Sequence, residues 1–125
     1  MTENELARIV VDACFKVHKT LGPGLLESAY ERILAIEFRT RGLRFVRQKP
    51  IGVFYEGMRV DFGFRADFIV EDLVIIEVKS KEALAPVHFK QLLTNLRFAN
   101  LKLGLLVNFN EALIRDGIKR VVNGL

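Results

Sequence analysis

Apolar residues recur along the first third of the chain at helical spacing. Leu6, Ile9, Val10, Ala13, Cys14, Val17 and Leu21 fall on one stripe, which predicts a helix from about 4 to 20. Gly22-Pro23-Gly24 then breaks the chain. A second stripe, Leu26, Tyr30, Ile33, Leu34 and Phe38, predicts an inward helix face from about 25 to 41, with Gly42 as its stop. After Gly42 the texture changes. Residues 43–80 are rich in Val, Ile, Phe and Tyr, and the polar pairs Glu56-Gly57 and Glu71-Asp72 read as turns. Strands are therefore expected near 44–48, 51–56, 58–70 and 73–80. Leu73-Val74-Ile75-Ile76 is apolar on both faces, so the last of these strands should be central. Pro86 opens a third helix with Phe89, Leu92, Leu93, Leu96 and Ala99 on its buried face. Residues 103–107 form a continuous apolar run, which reads as a strand able to pair in parallel with 73–80. A last helix, 111–123, would pack through Leu113, Ile114, Gly117, Ile118, Val121 and Val122. The expected order is ααββββαβα, an α/β fold with a mixed central sheet flanked by helices.

Length and composition narrow the picture. With 125 residues, half of them apolar and 27% charged, the chain reads as one globular domain spanning 1–125. No apolar run approaches the roughly 18 residues of a membrane helix. The opening MTENELARIV has no basic segment ahead of an apolar one, so a cytoplasmic protein is expected. Cys14 is the only cysteine, which excludes an intramolecular disulfide and a cysteine zinc cluster, and its place on an apolar stripe suggests an inert thiol. The net charge of +4 permits a polyanionic partner. Arg39, Arg41, Arg44, Arg47 and Lys49 form a run without an acid among them. It reads either as cations at a helix C-terminus or as a patch that contacts nucleic-acid phosphates.

The chemistry concentrates on the central strand. Glu77 and Lys79 are two residues apart and leave the same face of an otherwise apolar strand. Charge there is costly unless it is paired, metal-bound or solvated at the strand end. Asp67 lies on the preceding strand, and the turn length decides whether it meets Glu77. A three-residue loop, 71–73, pairs Val70 with Val74 and sets Asp67 opposite Glu77 on one face. A two-residue loop sets Asp67 opposite Ile76 and turns Glu77 away. Two carboxylates and a lysine suit magnesium, which takes oxygen ligands and retains water. The same residues would also serve as an ion-pair cluster. Glu27 falls in the first turn of its helix, where the dipole favours an acid in any case. His88, Gln91 and Asn95 share one side of the third helix, beside its buried face. His18 reads as structural and Tyr30 as core. The chain lacks a Walker A loop, a G-x-S-x-G elbow, an H-E-x-x-H pair and a dinucleotide fingerprint.

Asp67 followed by Glu77-Val78-Lys79 on the next strand resembles the PD-(D/E)XK nuclease superfamily. Gly24-Leu25-Leu26-Glu27-Ser28-Ala29-Tyr30 resembles the signature of its bacterial GxxExxY family. Arg65-Ala66-Asp67, Gln91-Leu92-Leu93-Thr94, the segment 103–110 and Asp116-Gly117-Ile118-Lys119-Arg120 resemble that family too. The resemblance implies a restriction-endonuclease-like core and a nuclease acting on nucleic acid, DNA before RNA, with Mg or Mn as cofactor. It implies Asp67 and Glu77 as metal ligands, Glu27 as a further acid at the metal, Lys79 as the catalytic lysine and Gln91 as the glutamine of a QxxxY motif. A homodimer or a partner protein would supply substrate selection. Two positions depart from the patterns: Ala66 replaces the proline of the superfamily's name, and Asn95 the tyrosine of QxxxY. The competing reading is a non-catalytic nucleic-acid-binding or assembly module that keeps the nuclease fold.

Overall fold

In a computed structural model that describes every residue but the side chain of Phe62, helix α1 covers Glu3–Leu21. Thr2 starts it by accepting the Glu5 N–H on its hydroxyl, with Glu3 and Glu5 in the first turn, where the helix dipole favours acids. Helix α2 covers Glu27–Thr40 and ends in a Schellman turn. Gly42 takes φ 72°, its N–H reaches Arg39 O, and the N–H of buried Leu43 reaches Phe38 O. Leu26, expected inward, is the cap residue of α2 and is 76% exposed.

Strands β1 (Phe45–Tyr55), β2 (Met58–Val70), β3 (Val74–Lys79), β4 (Leu103–Asn108) and β5 (Ile118–Val122) form one sheet in the order β1-β2-β3-β4-β5. Only β3 and β4 pair in parallel. They are joined by helix α3, Pro86–Ala99, which ends in the same type of turn with Asn100 in the left-handed region. The sheet is thus mixed, with β3 at its centre. Its two faces have separate cores. Val74, Ile76 and Val78 pack with Leu6, Val10, Cys14, Leu34 and Phe38 under α1 and α2. Phe38, Phe45 and Phe68 meet there edge to face. Ile75, Ile69 and Leu106 face Leu92 and Leu96 of α3. Gly104 lets α3 approach, since a Cβ there would lie 2.7 Å from Leu92 Cδ1. Among the described residues, no helix is long and apolar enough to cross a membrane.

The order differs from ααββββαβα in two places. The stretches expected as strands 44–48 and 51–56 are one strand, β1, with an irregular register between Pro50 and Gly52. Pro50 is tolerated because β1 is a sheet edge and the register breaks beside it. The outer part of the β1–β2 hairpin, Gly52–Tyr55 against Met58–Asp61, reaches beyond the part of β2 that pairs with β3. The second difference is the expected C-terminal helix. Only one turn forms, α4 (Ile114–Gly117), and β5 then pairs antiparallel with β4. Ile118 packs on the α1/α2 side and Val121 on the α3 side, as a strand requires of residues three apart. The β-branched residues Ile118, Val121 and Val122 suit a strand, and a helix would leave β4 a bare edge.

Candidate active site

The turn between β2 and β3 has the three-residue form. Val70 pairs with Val74, Ile69 with Ile75 and Phe68 with Ile76, so the next opposed positions are Asp67 and Glu77. The regular ladder ends there, and the Asp67 side chain continues it. Its Oδ2 accepts the Val78 N–H at 2.8 Å, and its Oδ1 accepts from Gln48 Nε2 at 3.2 Å. Gln48 sits across from Asp67 on β1 with φ 53°, a conformation rare outside glycine, and its Nε2 also reaches Glu31 Oε1 at 2.7 Å. Glu31 is buried on α2 and lies 3.6 Å from Arg47 Nη2. Burial raises the pKa of Asp67 above its ordinary value, and the charge of Glu31 adds to the rise, against the Val78 hydrogen bond and the charge of Lys79.

Glu77 is 8% exposed, and its Oε1 has no hydrogen-bond partner. Burial first, and the charge of Asp67 second, push its carboxyl up to about 9. Asp67, Glu77, Lys79 and Gln91 line one pocket of about 150 Å³ on the α3 side of the sheet. Arg65, His88 and Asn95 share its wall, and Leu92 and Leu106 supply apolar lining. His88 Nδ1 accepts the Ala85 N–H at 3.0 Å, which leaves the ring proton of the neutral imidazole on Nε2. Burial holds the His88 pKa below its ordinary value, helped by the charges of Lys79 and Lys81.

A divalent cation fits this donor set. Two opposed carboxyl groups repel when both are ionised, and one buried oxygen lacks a donor; a cation answers both. Among the described residues no three His, Cys, Asp or Glu side chains gather at one point, so other coordination positions would fall to water, as magnesium accepts.

Glu27 stands apart from this pocket. Its Oε1 accepts the Ser80 N–H at 3.3 Å and lies 4.0 Å from Lys81 Nζ. Ser80 Oγ donates to Leu25 O at 2.6 Å. The buried Tyr30 hydroxyl donates to Gly22 O and accepts the Leu25 N–H at 3.2 Å, while its ring stacks on Phe109 at 4.5 Å. The segment 24–30 is therefore a clasp on the end of β3, immediately after Lys79. Asn108 fixes the following loop: its Oδ1 accepts the Lys81 N–H at 3.0 Å, and its Nδ2 donates to Lys81 O at 2.9 Å. His18 Nε2 lies 2.8 Å from Glu111 O, a structural contact, and Cys14 is fully buried with its thiol pushed up to about 12.

The five cations of 39–49 are spread around α2 and β1, and none lines the pocket. Arg39 stacks over Phe45, Arg41 pairs with Asp12 and Glu37, Arg44 with Glu71, and Arg47 with Glu31. Lys49 lines a separate groove with Phe54 and Phe98. Sequence reasoning gave no role to Arg65, Glu31 or Gln48. Arg65 leaves a signal beside Asp67; Glu31 and Gln48 leave none, because they meet across 17 residues where Gln48 takes a left-handed backbone conformation.

A family model described as the PD-(D/E)XK nuclease superfamily matches residues 4–121. No curated protein and no solved structure matches the chain.

Proposed function

The chain belongs to the PD-(D/E)XK nuclease superfamily, and from that premise we propose that it is a metal-dependent nuclease of the GxxExxY type that hydrolyses phosphodiester bonds of DNA. The observation that carries this reading is the opposed pair Asp67 and Glu77, with Glu77 Oε1 unpartnered and Lys79 in the same pocket. Asp67 and Glu77 would hold Mg or Mn. Bound there, the cation supplies Lewis acidity and a template for the phosphate. Lys79 stabilises negative charge that develops on the phosphate oxygens. Gln91 positions the phosphate or the attacking water, and His88 donates its Nε2 proton to a phosphate oxygen. Arg65 binds the phosphate as a bidentate donor. Glu27 serves as a positioning residue, because its hydrogen bond to the Ser80 N–H sets the backbone next to Lys79. The cations of 39–49 contact phosphates outside the pocket. Arg44 can exchange its pair with Glu71 for a phosphate at little cost, since its side chain is 86% exposed. The protein acts in the cytoplasm, with residues 1–125 working as one domain.

The test is cleavage of labelled DNA and RNA panels in magnesium, manganese and chelator, with Lys79→Ala purified in parallel. The expected result is metal-dependent cutting of DNA that falls by about 10²–10³-fold in the variant, the usual effect of removing one transition-state donor. Cutting that survives in Lys79→Ala overturns the site. No cutting of any substrate overturns the catalytic reading in favour of a binding module.

A further inference from the structure

Among the described residues, two buried side-chain oxygens lack a hydrogen-bond partner, and they line the same pocket: Glu77 Oε1 and Asn95 Oδ1. Asn95 is 3% exposed. A buried acceptor without a donor is rare and costly. Two of them in one pocket indicate a donor that both can share. Asn95 lies beside the Glu77 carboxyl and lowers its pKa against the larger effect of burial, as the NH₂ end of an amide does. With that end toward Glu77, Oδ1 is the end available to a ligand. Pro86–Ala99 carries His88, Gln91 and Asn95 along one side, all three on the pocket wall, so Asn95 is the deepest point of a polar track that begins at solvent. Leu92 and Leu106 lie beside it, where a loosely held water would find few partners. The occupant that fits must bring hydrogens to two acceptors and tolerate a carboxylate. Water ordered by a cation does so.

We infer that Asn95 is a positioning residue of the metal centre, holding Glu77 through its NH₂ group and accepting a proton of the cation's hydration shell on Oδ1. The inference rests on the proposed metal-dependent nuclease and adds a residue of this chain to that centre. Asparagine is suited to both roles, since it offers a donor and an acceptor on one short, rigid group. Outer-shell partners of this kind orient the ligand and tune metal affinity.

The experiment is a Mn²⁺ titration followed by calorimetry and by electron paramagnetic resonance, on the full chain, for the wild type, Glu77→Ala, Asn95→Leu and Asn95→Asp. Asn95→Leu keeps the branched outline and the number of side-chain heavy atoms and lacks the orphan oxygen, so its metal-free melting temperature should not fall. Its Mn²⁺ affinity should drop by about 10–100-fold. Asn95→Asp restores an acceptor and adds a charge. It should bind Mn²⁺ at least as tightly as the wild type, while melting lower without metal. A purely structural asparagine would not give that split. Unchanged affinity in Asn95→Leu, or equal loss in both variants, overturns the inference alone. A wild type that binds no more Mn²⁺ than Glu77→Ala overturns the metal centre and the inference together.

Discussion

Glu77 is held in a setting that disfavours its own charge. Burial and Asp67 push its carboxyl up to about 9, well above the 4.5 of a free glutamate side chain. The folded metal-free protein therefore keeps a proton on this group that the unfolded chain releases. A raised carboxyl stabilises fully below the unfolded value, and that contribution is lost as pH rises through the folded one. Between about pH 5 and 9 the metal-free protein should lose stability by up to about 1.4 kcal/mol per pH unit from this group. Glu77→Gln should flatten the decline and melt higher than the wild type at pH 8.5, by several degrees. Melting curves in chelator across that range check this, and parallel curves for the two proteins would sink it. Added Mg²⁺ should reverse the sign, because binding displaces the proton and grows stronger as pH rises. That Asp67 and Glu77 oppose each other was legible in the chain, because β pairing has period two and only the turn length was open. The grip on Asp67 by Gln48 was not. It depends on a left-handed residue that is not glycine, and no local sequence pattern announces one.

The element that does most to place Lys79 is the start of α2. Tyr30 closes the loop 22–25 onto the helix, and Leu25 and Glu27 then receive Ser80 through its hydroxyl and its N–H. The glycine, glutamate and tyrosine of this segment thus act together. Gly24 turns the chain at φ 107°, Tyr30 anchors it, and Glu27 takes the strand end. Tyr30→Phe keeps the stack on Phe109 and removes both hydroxyl bonds. It should cost about 1–3 kcal/mol, since Gly22 O and Leu25 N–H lose their partner. Urea unfolding should show a lower midpoint with an unchanged slope; a midpoint equal to the wild type would mean that water replaces the hydroxyl. Tyr30 reads as a core residue by its spacing alone, and it is one, but the role of its hydroxyl needed the fold. The same limit explains β5. Ile114, Gly117, Ile118, Val121 and Val122 satisfy a helical period by coincidence, and the open edge of β4 decides in favour of a strand. Gly117 marks the change, because a Cβ there would lie 2.4 Å from Asn108 O.

For the whole molecule, the two faces of the sheet divide the labour. The α1/α2 face is apolar core; the α3 face carries core at one end and the acidic, basic and amide groups at the other. The two-sided apolar character of β3 made its central place readable, and with it the mixed sheet. The distribution of charge was not readable, because Arg41, Arg44 and Arg47 pair with acids that come from distant parts of the chain. The hairpin tip at Glu56-Gly57 has a further consequence. Phe54, Tyr55 and Met58 beside it are 73%, 68% and 71% exposed, and the ladder that binds β1 to β2 continues inward to Phe45 and Val70. The residues at the tip are exposed, so a cut there removes no core contact. A chain severed there gives 1–56, with both helices of one face, and 57–125, with Asp67, Glu77, Lys79, Gln91 and Asn95 together. The larger piece alone exposes the apolar face of β3 and β4 and should aggregate. Co-expressed, the two should complement each other into a soluble heterodimer that binds Mn²⁺, which copurification through a tag on 1–56 measures. Each half of the protein is then a reagent: one carries every residue that lines the pocket, and the other is the fold's means of switching it on.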